Sequence, residues 1–326
     1  MKEEEIRPKK IFDEYLRLAA VDTKTFFGQA ARNEISCPAC GENGRPEFEK
    51  EGFTYEECPK CQTLFVNPRP EARAFERYYR ESPSSRFWAT TFYKETAEAR
   101  REKLWKPKAR GILEILGRFS RPKEVSLVDI GGGYGLFAEE MERITGLKPV
   151  ILEPAPHLAA ICQQKGLRVV QKFLEEVLPS DLPPGPKAFV SFELFEHLHD
   201  PSFFLERLRG LMASGDLFIF TTLSGTGLDI RSLWENSKSV SPPHHLNFLN
   251  PRSAQTLLER TGFEVLEITT PGQLDLSILE NSREKIRDRF WKTFLEVATP
   301  EEKQKMQVCI ASLKMSSHMW VVCNKN

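Results

Sequence analysis

The sequence predicts an α/β protein: a doubly wound, mostly parallel sheet of seven strands, preceded by a small cysteine-bearing ribbon and a helical segment. Three observations predict it. From residue 125 onward, strand-length apolar runs alternate with helix-length segments, the pattern of a parallel sheet covered on both faces. The first of those runs ends in a glycine-rich turn, Gly131-Gly132-Gly133-Tyr134-Gly135. Ahead of them all stand two Cys-x-x-Cys pairs.

The bulk properties narrow the class. At 326 residues the chain is long enough for one large domain and a small one. Its composition, 40% apolar and 28% charged, is that of a globular protein, and its formal net charge of zero gives no global field that would steer it to nucleic acid. No run approaches the roughly 18 apolar residues of a membrane span. Met1-Lys2-Glu3-Glu4-Glu5-Ile6-Arg7 lacks an apolar signal core, so the cytoplasm is the expected location.

Residues 1–33 read as a charged amphipathic lead with Ile11, Tyr15, Leu16 and Leu18 on one helical face. In the ribbon, 34–66, Cys37, Cys40, Cys58 and Cys61 form two knuckles separated by 17 residues, the spacing of a four-cysteine zinc site. Disulfides are the competing reading, and a reducing compartment disfavours them. Four thiolates leave no open coordination position, so the zinc is expected to be structural. The segment between the knuckles, with Phe48, Phe53 and Tyr55, is too short for its own core, and a metal supplies the missing stability. Cys162, Cys309 and Cys323 are expected to pack as small apolar residues. A short strand at 63–66 is stopped by Asn67-Pro68-Arg69-Pro70.

Residues 71–119 read as helices rich in Arg, Glu and aromatics, with Phe75, Tyr78, Tyr79, Phe87, Trp88, Phe92, Tyr93 and Trp105 in a stripe that suits packing and could also cap a pocket. The expected organisation is therefore 1–70, N-terminal helix and ribbon; 71–119, helical linker or cap; and 120–326, the α/β domain. Within the last, strands are expected at 125–130, 148–152, 167–170, 187–192, 217–222, 263–269 and 318–323. Helices are expected at 135–145, 155–165, 201–212 and 251–261. Pro201 and Pro251 suit first helical positions, and Thr299-Pro300-Glu301-Glu302 is a capping-box signature for a late helix.

The glycine turn selects among ligands. A dinucleotide fingerprint needs a third glycine where Leu136 stands, so that pattern fails. The run from Asp129 through Gly131, Gly133 and Gly135 instead resembles motif I of the class I S-adenosylmethionine (SAM) methyltransferases. That resemblance implies a Rossmann-like methyltransferase fold with SAM as cofactor, and Asp129 below its methionine part. Glu153, at the end of the next strand and about 20 residues on, is placed to accept the ribose hydroxyls, and the resemblance assigns it the same role. Phe173 is a candidate to stack on the adenine, with buried packing as its alternative. The run Phe192-Glu193-Leu194-Phe195-Glu196-His197-Leu198 resembles that of ubiquinone-type and sugar-type methyltransferases. There Phe192 could back the cofactor, Glu193 could face the methionine or the acceptor, and His197 could line the acceptor pocket. The plainer reading makes Glu196 and His197 a helix-start network.

The strongest catalytic candidate is Pro242-Pro243-His244-His245-Leu246-Asn247-Phe248. Prolines fix the approach of such a loop, and imidazole is suited to proton removal near neutral pH. With the ribbon, this segment resembles the zinc-ribbon methyltransferases of surface-polysaccharide and deoxysugar pathways. Deoxysugar C-methyltransferases carry Tyr-His-Glu-His here, and their last histidine, the proposed base, corresponds to His245. His244 stands at the Glu position, and Pro242 and Pro243 at the first two. These departures point away from ketosugar C-methylation and leave O-methylation open. The resemblance thus implies methyl transfer to a small-molecule or glycan acceptor, a sugar hydroxyl or carbon, with His245 as base and His244 or His197 as alternative or partner. Pocket-lining residues at 71–119 and 223–240 are expected to set the acceptor. Two other readings remain. A nucleic-acid methyltransferase gripping its substrate with the ribbon is opposed by the neutral charge and by Phe192-Glu193-Leu194-Phe195, where adenine N-methylating enzymes carry Asn/Asp-Pro-Pro-aromatic. A silent SAM-binding adaptor is opposed by the intact glycines and Glu153.

Overall fold

The computed structural model describes residues 3–120 and 125–325; residues 1, 2, 121–124 and 326, inside the expected ranges 1–70 and 120–326, lie outside the described residues. The chain opens with helix α1 (Lys9–Phe27). A short strand β1 (Arg32–Asn33) leads to the ribbon strands β2 (Arg45–Lys50), β3 (Phe53–Glu57) and β4 (Leu64–Val66), and β5 (Arg69–Pro70) pairs back on β1. Four helices follow: α2 (Ala72–Glu81), α3 (Pro83–Phe87), α4 (Tyr93–Arg100) and α5 (Lys106–Phe119). The turns between the last three, Trp88–Phe92 and Arg101–Trp105, are π-helical, a local widening often found where a helix serves a site.

The main sheet is built from β6 (Ser126–Ile130), β7 (Val150–Leu152), β8 (Arg168–Val170), β9 (Lys187–Phe192) and β10 (Leu217–Leu223), with β12 (Phe263–Thr269) and β13 (His318–Lys325) completing seven strands. All seven fall where the hydrophobic runs place them. Their order is β12-β13-β10-β9-β6-β7-β8, and only β13 runs antiparallel to its neighbours. The fold is therefore the expected Rossmann-like one. Intervening helices are α6 (Leu136–Thr145), α7 (Pro156–Gln164), α8 (Pro201–Leu211), α9 (Leu228–Leu233) and α10 (Pro251–Arg260), the last preceded by the two-residue strand β11 (Asn247–Phe248). Helices α11 (Asp275–Asn281), α12 (Arg289–Val297) and α13 (Pro300–Ser312) close the chain before β13. Pro201 and Pro251 do start helices, each after a capping side chain: Asp200 accepts from the Phe203 N–H and Asn250 from the Ser253 N–H. The Thr299–Glu302 capping box opens α13. Among the described residues no helix is long and apolar enough to cross a membrane.

Alternation along each strand supplies two core faces. On one, Val128, Phe189, Phe218, Phe220 and Val321 meet Leu205 and Leu208 of α8 and Leu257 of α10. On the other, Leu127, Val190 and Ile219 meet Ile112 of α5 and Phe137 and Met141 of α6. Strand order reverses between β6 and β9, so the crevice at their carboxyl ends is the topological switch point.

Three expectations need correction. The buried face of α1 carries Phe12, Tyr15, Ala19 and Phe27, whereas Leu16 and Leu18 are only partly buried. The ribbon is no isolated metal module. Phe53 and Tyr55 are fully buried with Phe27, Phe75, Tyr78, Leu246 and Phe248, so it shares a core with α1, α2 and the loop before α10. Burial of such side chains contributes about 2–3 kcal/mol each. Cys162 and Cys323 pack inside as expected, but Cys309 is exposed, because its face of α13 points outward.

Asp229 on α9 is fully buried beside Asp275, and burial first, then that neighbour's charge, pushes its carboxyl up from 3.8 to about 8. Its folded pKa thus lies above its unfolded one. Its contribution is fully present below about pH 4 and is lost as pH rises through 8. Asp229→Asn, which needs no proton, should gain stability relative to the parent as pH rises from 4 to 8. Chemical denaturation across that range checks this, and a constant gap between the two proteins would contradict it.

Candidate active site

The glycine turn lies at the carboxyl end of β6. Gly131, Gly133 and Gly135 adopt positive φ (73°, 55° and 76°), which lets the backbone fold tightly before α6. Gly132 is required for closeness: a Cβ there would stand 2.7 Å from Ile151 Cγ2 and 2.8 Å from Asp129 Oδ2. Tyr93 stacks on Tyr134 with ring planes 3° apart, and with Trp105 and Phe192 it walls a cleft floored by Asp129, Gly131 and Gly132. Of the helical segment 71–119, Tyr93 and Trp105 are the side chains that line this cleft.

Asp129 Oδ2 is buried and has no hydrogen-bond partner among the described residues. Burial, then the Glu153 charge, pushes this carboxyl up to about 7. Glu153, at the end of β7, accepts N–H bonds from Gly133 and Ala155, both at 2.9 Å; burial outweighs those bonds and pushes it up to about 7. A partnerless acid, a second acid at the neighbouring strand end and a glycine turn form a cradle for a ligand with amine and hydroxyl donors, which suits SAM. Phe192 is buried at the cleft, whereas Phe173 is 46% exposed and does not line it.

Beyond β9 the chain turns through Glu193, which takes φ 50°, into a single 3₁₀ turn at Phe195–His197. Glu193 Oε1 accepts from Lys108 Nζ at 2.8 Å and Thr221 Oγ1 at 2.7 Å, and lies 3.0 Å from His318 Nε2. Burial opposes its charge, but Lys108 and His318 prevail and hold it well below the usual carboxylate range. Three residues on, Glu196 behaves oppositely: burial, then the Glu193 charge, pushes it up to about 8, with Thr222 Oγ1 donating at 2.8 Å.

The two loop histidines differ in kind. His244 Nε2 meets the Tyr78 hydroxyl at 2.7 Å, and its ring is enclosed by Tyr15, Tyr78 and Tyr79. Burial pulls it down to about 3. His245 Nδ1 lies 2.5 Å from the Ser239 carbonyl, which can only accept. Nδ1 therefore carries the proton, and the lone pair resides on Nε2. Burial pulls His245 down to about 4, so it is neutral at pH 7. His197 packs edge-on to it, ring centroids 4.8 Å apart, and burial holds His197 well below the ordinary range. One ligating atom each of Glu196, His197 and His245 lie within 4.8 Å of one another. The structure thus brings Glu193, His197, His244 and His245 together beyond the carboxyl ends of β9 and β10.

The four ribbon sulfurs also lie within 4.8 Å of one another, with Cys37–Cys61 and Cys40–Cys58 at 3.5 Å. Bonds of about 2.3 Å in a tetrahedron put sulfurs about 3.8 Å apart, so the set has the dimensions of one zinc site. Both knuckles fold identically: Gly41 N–H bonds to Cys37 O and Gln62 N–H to Cys58 O, then Cys37 N–H to Glu42 O and Cys58 N–H to Thr63 O.

Several participants escape sequence reasoning. Lys108 and His318 reach Glu193 from 85 and 125 residues away, with no local signature. Tyr93 and Trp105 stand in the aromatic stripe, but only the fold shows which members face the cleft.

Residues 97–268, just over half of the chain, match a family model described as a methyltransferase domain. No curated protein sequence matches. Solved structures that resemble the chain include a SAM-dependent methyltransferase from Archaeoglobus fulgidus (16% identity, 72% of this chain and 100% of the other covered, TM-score 0.47). Another is the geranyl diphosphate C-methyltransferase of Streptomyces coelicolor A3(2), in complex with Mg2+, geranyl diphosphate and S-adenosyl-L-homocysteine (13%, 72% and 85%, 0.47). A third is the plantazolicin methyltransferase BpumL in complex with SAH (14%, 78% and 95%, 0.48).

Gly132→Ala forces a methyl group against Asp129 and Ile151, both held in strands. Affinity for S-adenosylhomocysteine (SAH), measured by calorimetry, should fall about ten-fold or more, the scale of a 1.4 kcal/mol clash or greater. Gly117→Ala, with nothing within 4 Å of the new Cβ, should leave it unchanged. Equal affinities in the two variants would contradict the cradle.

Proposed function

Because the chain belongs to the methyltransferase-domain family that residues 97–268 match, and is a SAM-dependent methyltransferase, we propose that it methylates a small-molecule or glycan acceptor, a sugar hydroxyl foremost, with His245 as general base. The observation that carries this reading is the tautomer of His245: its proton is committed to Ser239, which leaves the lone pair on Nε2, in a ring that packs beside His197. The sugar class rests on the resemblance of 242–248 and the ribbon to the surface-polysaccharide and deoxysugar group.

Asp129, Gly131, Gly133, Gly135, Glu153 and Phe192 would hold SAM, whereas Phe173 lies off the cleft and is not assigned to it. When bound, SAM supplies an activated methyl group. The chain's task is to fix the acceptor oxygen in line and to take its proton. His245 Nε2 accepts that proton, while the Ser239 carbonyl keeps hold of Nδ1–H and so favours the imidazolium that forms. His244, engaged by Tyr78, braces the loop; His197 walls the acceptor pocket; and Glu193 stays ionised between Lys108 and His318.

Cys37, Cys40, Cys58 and Cys61 hold a structural zinc in this reading, and a reducing compartment such as the cytoplasm suits four thiolates. The three-part organisation, 1–70, 71–119 and 120–326, follows as ribbon, cap and SAM-binding domain.

His245→Ala should lower methyl transfer from labelled SAM about 100-fold or more, on the acceptor found by screening nucleotide sugars, glycans and small phenols, with SAH affinity retained. Unchanged turnover in that variant removes His245 from the mechanism.

A further inference from the structure

Two guanidinium groups beside the site each keep a buried Nε without a hydrogen-bond partner among the described residues. Arg100, in the last turn of α4, is only 8% exposed, and its Nε has no hydrogen-bond partner. Its guanidinium lies 5.8 and 5.3 Å from the ring centroids of Phe92 and Tyr93 and bonds to the Tyr93 side chain, and among the described residues no carboxylate forms an ion pair with it. Arg7, just before α1, is similar: its Nε is buried and partnerless, its guanidinium lies 5.6 Å from the Phe12 ring, and its Glu3 partner stands off at 4.0 Å. Phe12 and Phe92 are themselves 6.2 Å apart, so both cations sit on one aromatic pair and feel each other's charge. Glu193 is the acid whose charge reaches Arg100, and it is already engaged by Lys108 and His318.

A buried charge without a partner is costly, and two of one sign together more so. Such a pair is tolerated where a ligand brings the missing anion, and guanidinium suits phosphate and carboxylate oxygens. The pair's position says which ligand. Arg7 acts electrostatically on His245, and Tyr15, one helical turn beyond Phe12, packs against His244 at 5.7 Å.

We propose that Arg7 and Arg100 form a binding site for an anionic group, phosphate or carboxylate, carried by the methyl acceptor, a reading that rests on methyl transfer at the histidine loop. The acceptor is then an anionic molecule, anchored by its charge while its nucleophile faces His245.

The test is calorimetry on the full chain saturated with SAH, with pyrophosphate and malonate as probes of the two anion chemistries. Saturable binding of either is expected, weakened about ten-fold or more in both Arg100→Gln and Arg7→Gln, with SAH affinity within about two-fold of the parent. Arg100→Lys should recover part of the loss. Arg7 is only partly buried, so its variant tests the site even if Arg100→Gln fails to fold. Binding of neither anion overturns the proposal. A ten-fold loss of SAH affinity in the variants overturns it too, by assigning the pair to the cofactor's own carboxylate. If the parent fails to bind SAH, the methyl-transfer reading falls and takes this one with it.

Discussion

The pairing of β11 with β4 is the constraint on which the candidate active site depends. Asn247 and Phe248 lie opposite Phe65 and Leu64, so the segment that follows the two histidines is the fourth strand of the ribbon sheet. Around this short ladder the ties are dense. Val66 N–H bonds to Leu246 O, the Tyr55 hydroxyl donates to His245 O at 2.8 Å, and Asn250 Nδ2 donates to the Cys61 carbonyl at 2.7 Å. Arg69, fully buried, spans His199 O, Leu246 O and Asn247 Oδ1. A buried guanidinium would be costly alone; here Nη1 and Nη2 donate to three carbonyl oxygens, while Nε has no partner among the described residues. The histidine loop is thus held on its far side by the cysteine ribbon and on its near side by Leu246 N–H to Glu196 O.

Electrostatics divides labour within one turn of chain. Glu193 and Glu196 are three residues apart, the first partly and the second fully buried, yet one is held ionised and the other neutral. The difference is Lys108 and His318, which reach Glu193 directly, whereas Glu196 meets a hydroxyl and its neighbour's negative charge. Three imidazoles beside them stay neutral because burial opposes a second layer of charge. Neutral imidazole is the form that can accept a proton, and the Ser239 carbonyl decides which nitrogen does so.

Much of this was legible in the sequence, and the reason is local chemistry. Strands from 126 to 325 announce themselves by apolar runs, Asp200, Asn250 and Thr299 by capping, and the four cysteines by spacing. Gly131 through Gly135 carry their own conformational demand. What stayed hidden depends on contacts between distant segments. Nothing near Lys108 or Arg100 distinguishes it from the other cations of 71–119, and only the folded chain shows that Tyr93 and Trp105 line the cleft. Phe53 and Tyr55 were legible as apolar but not as the floor beneath the histidine loop, since Phe27 and Phe248 complete that core from opposite ends of the sequence. Cys309 misled because cysteine is usually buried, and a residue type alone does not reveal which face of α13 it occupies.

We propose that a zinc ion held by Cys37, Cys40, Cys58 and Cys61 would stabilise the ribbon that holds the histidine loop. Removing zinc with a chelator, then following backbone hydrogen exchange at 64–66 and 246–248 alongside methyl transfer, tests it most directly. Both segments should lose protection together and turnover should collapse, while SAH still binds at the glycine turn. Retained protection and activity in the metal-free protein would contradict the account.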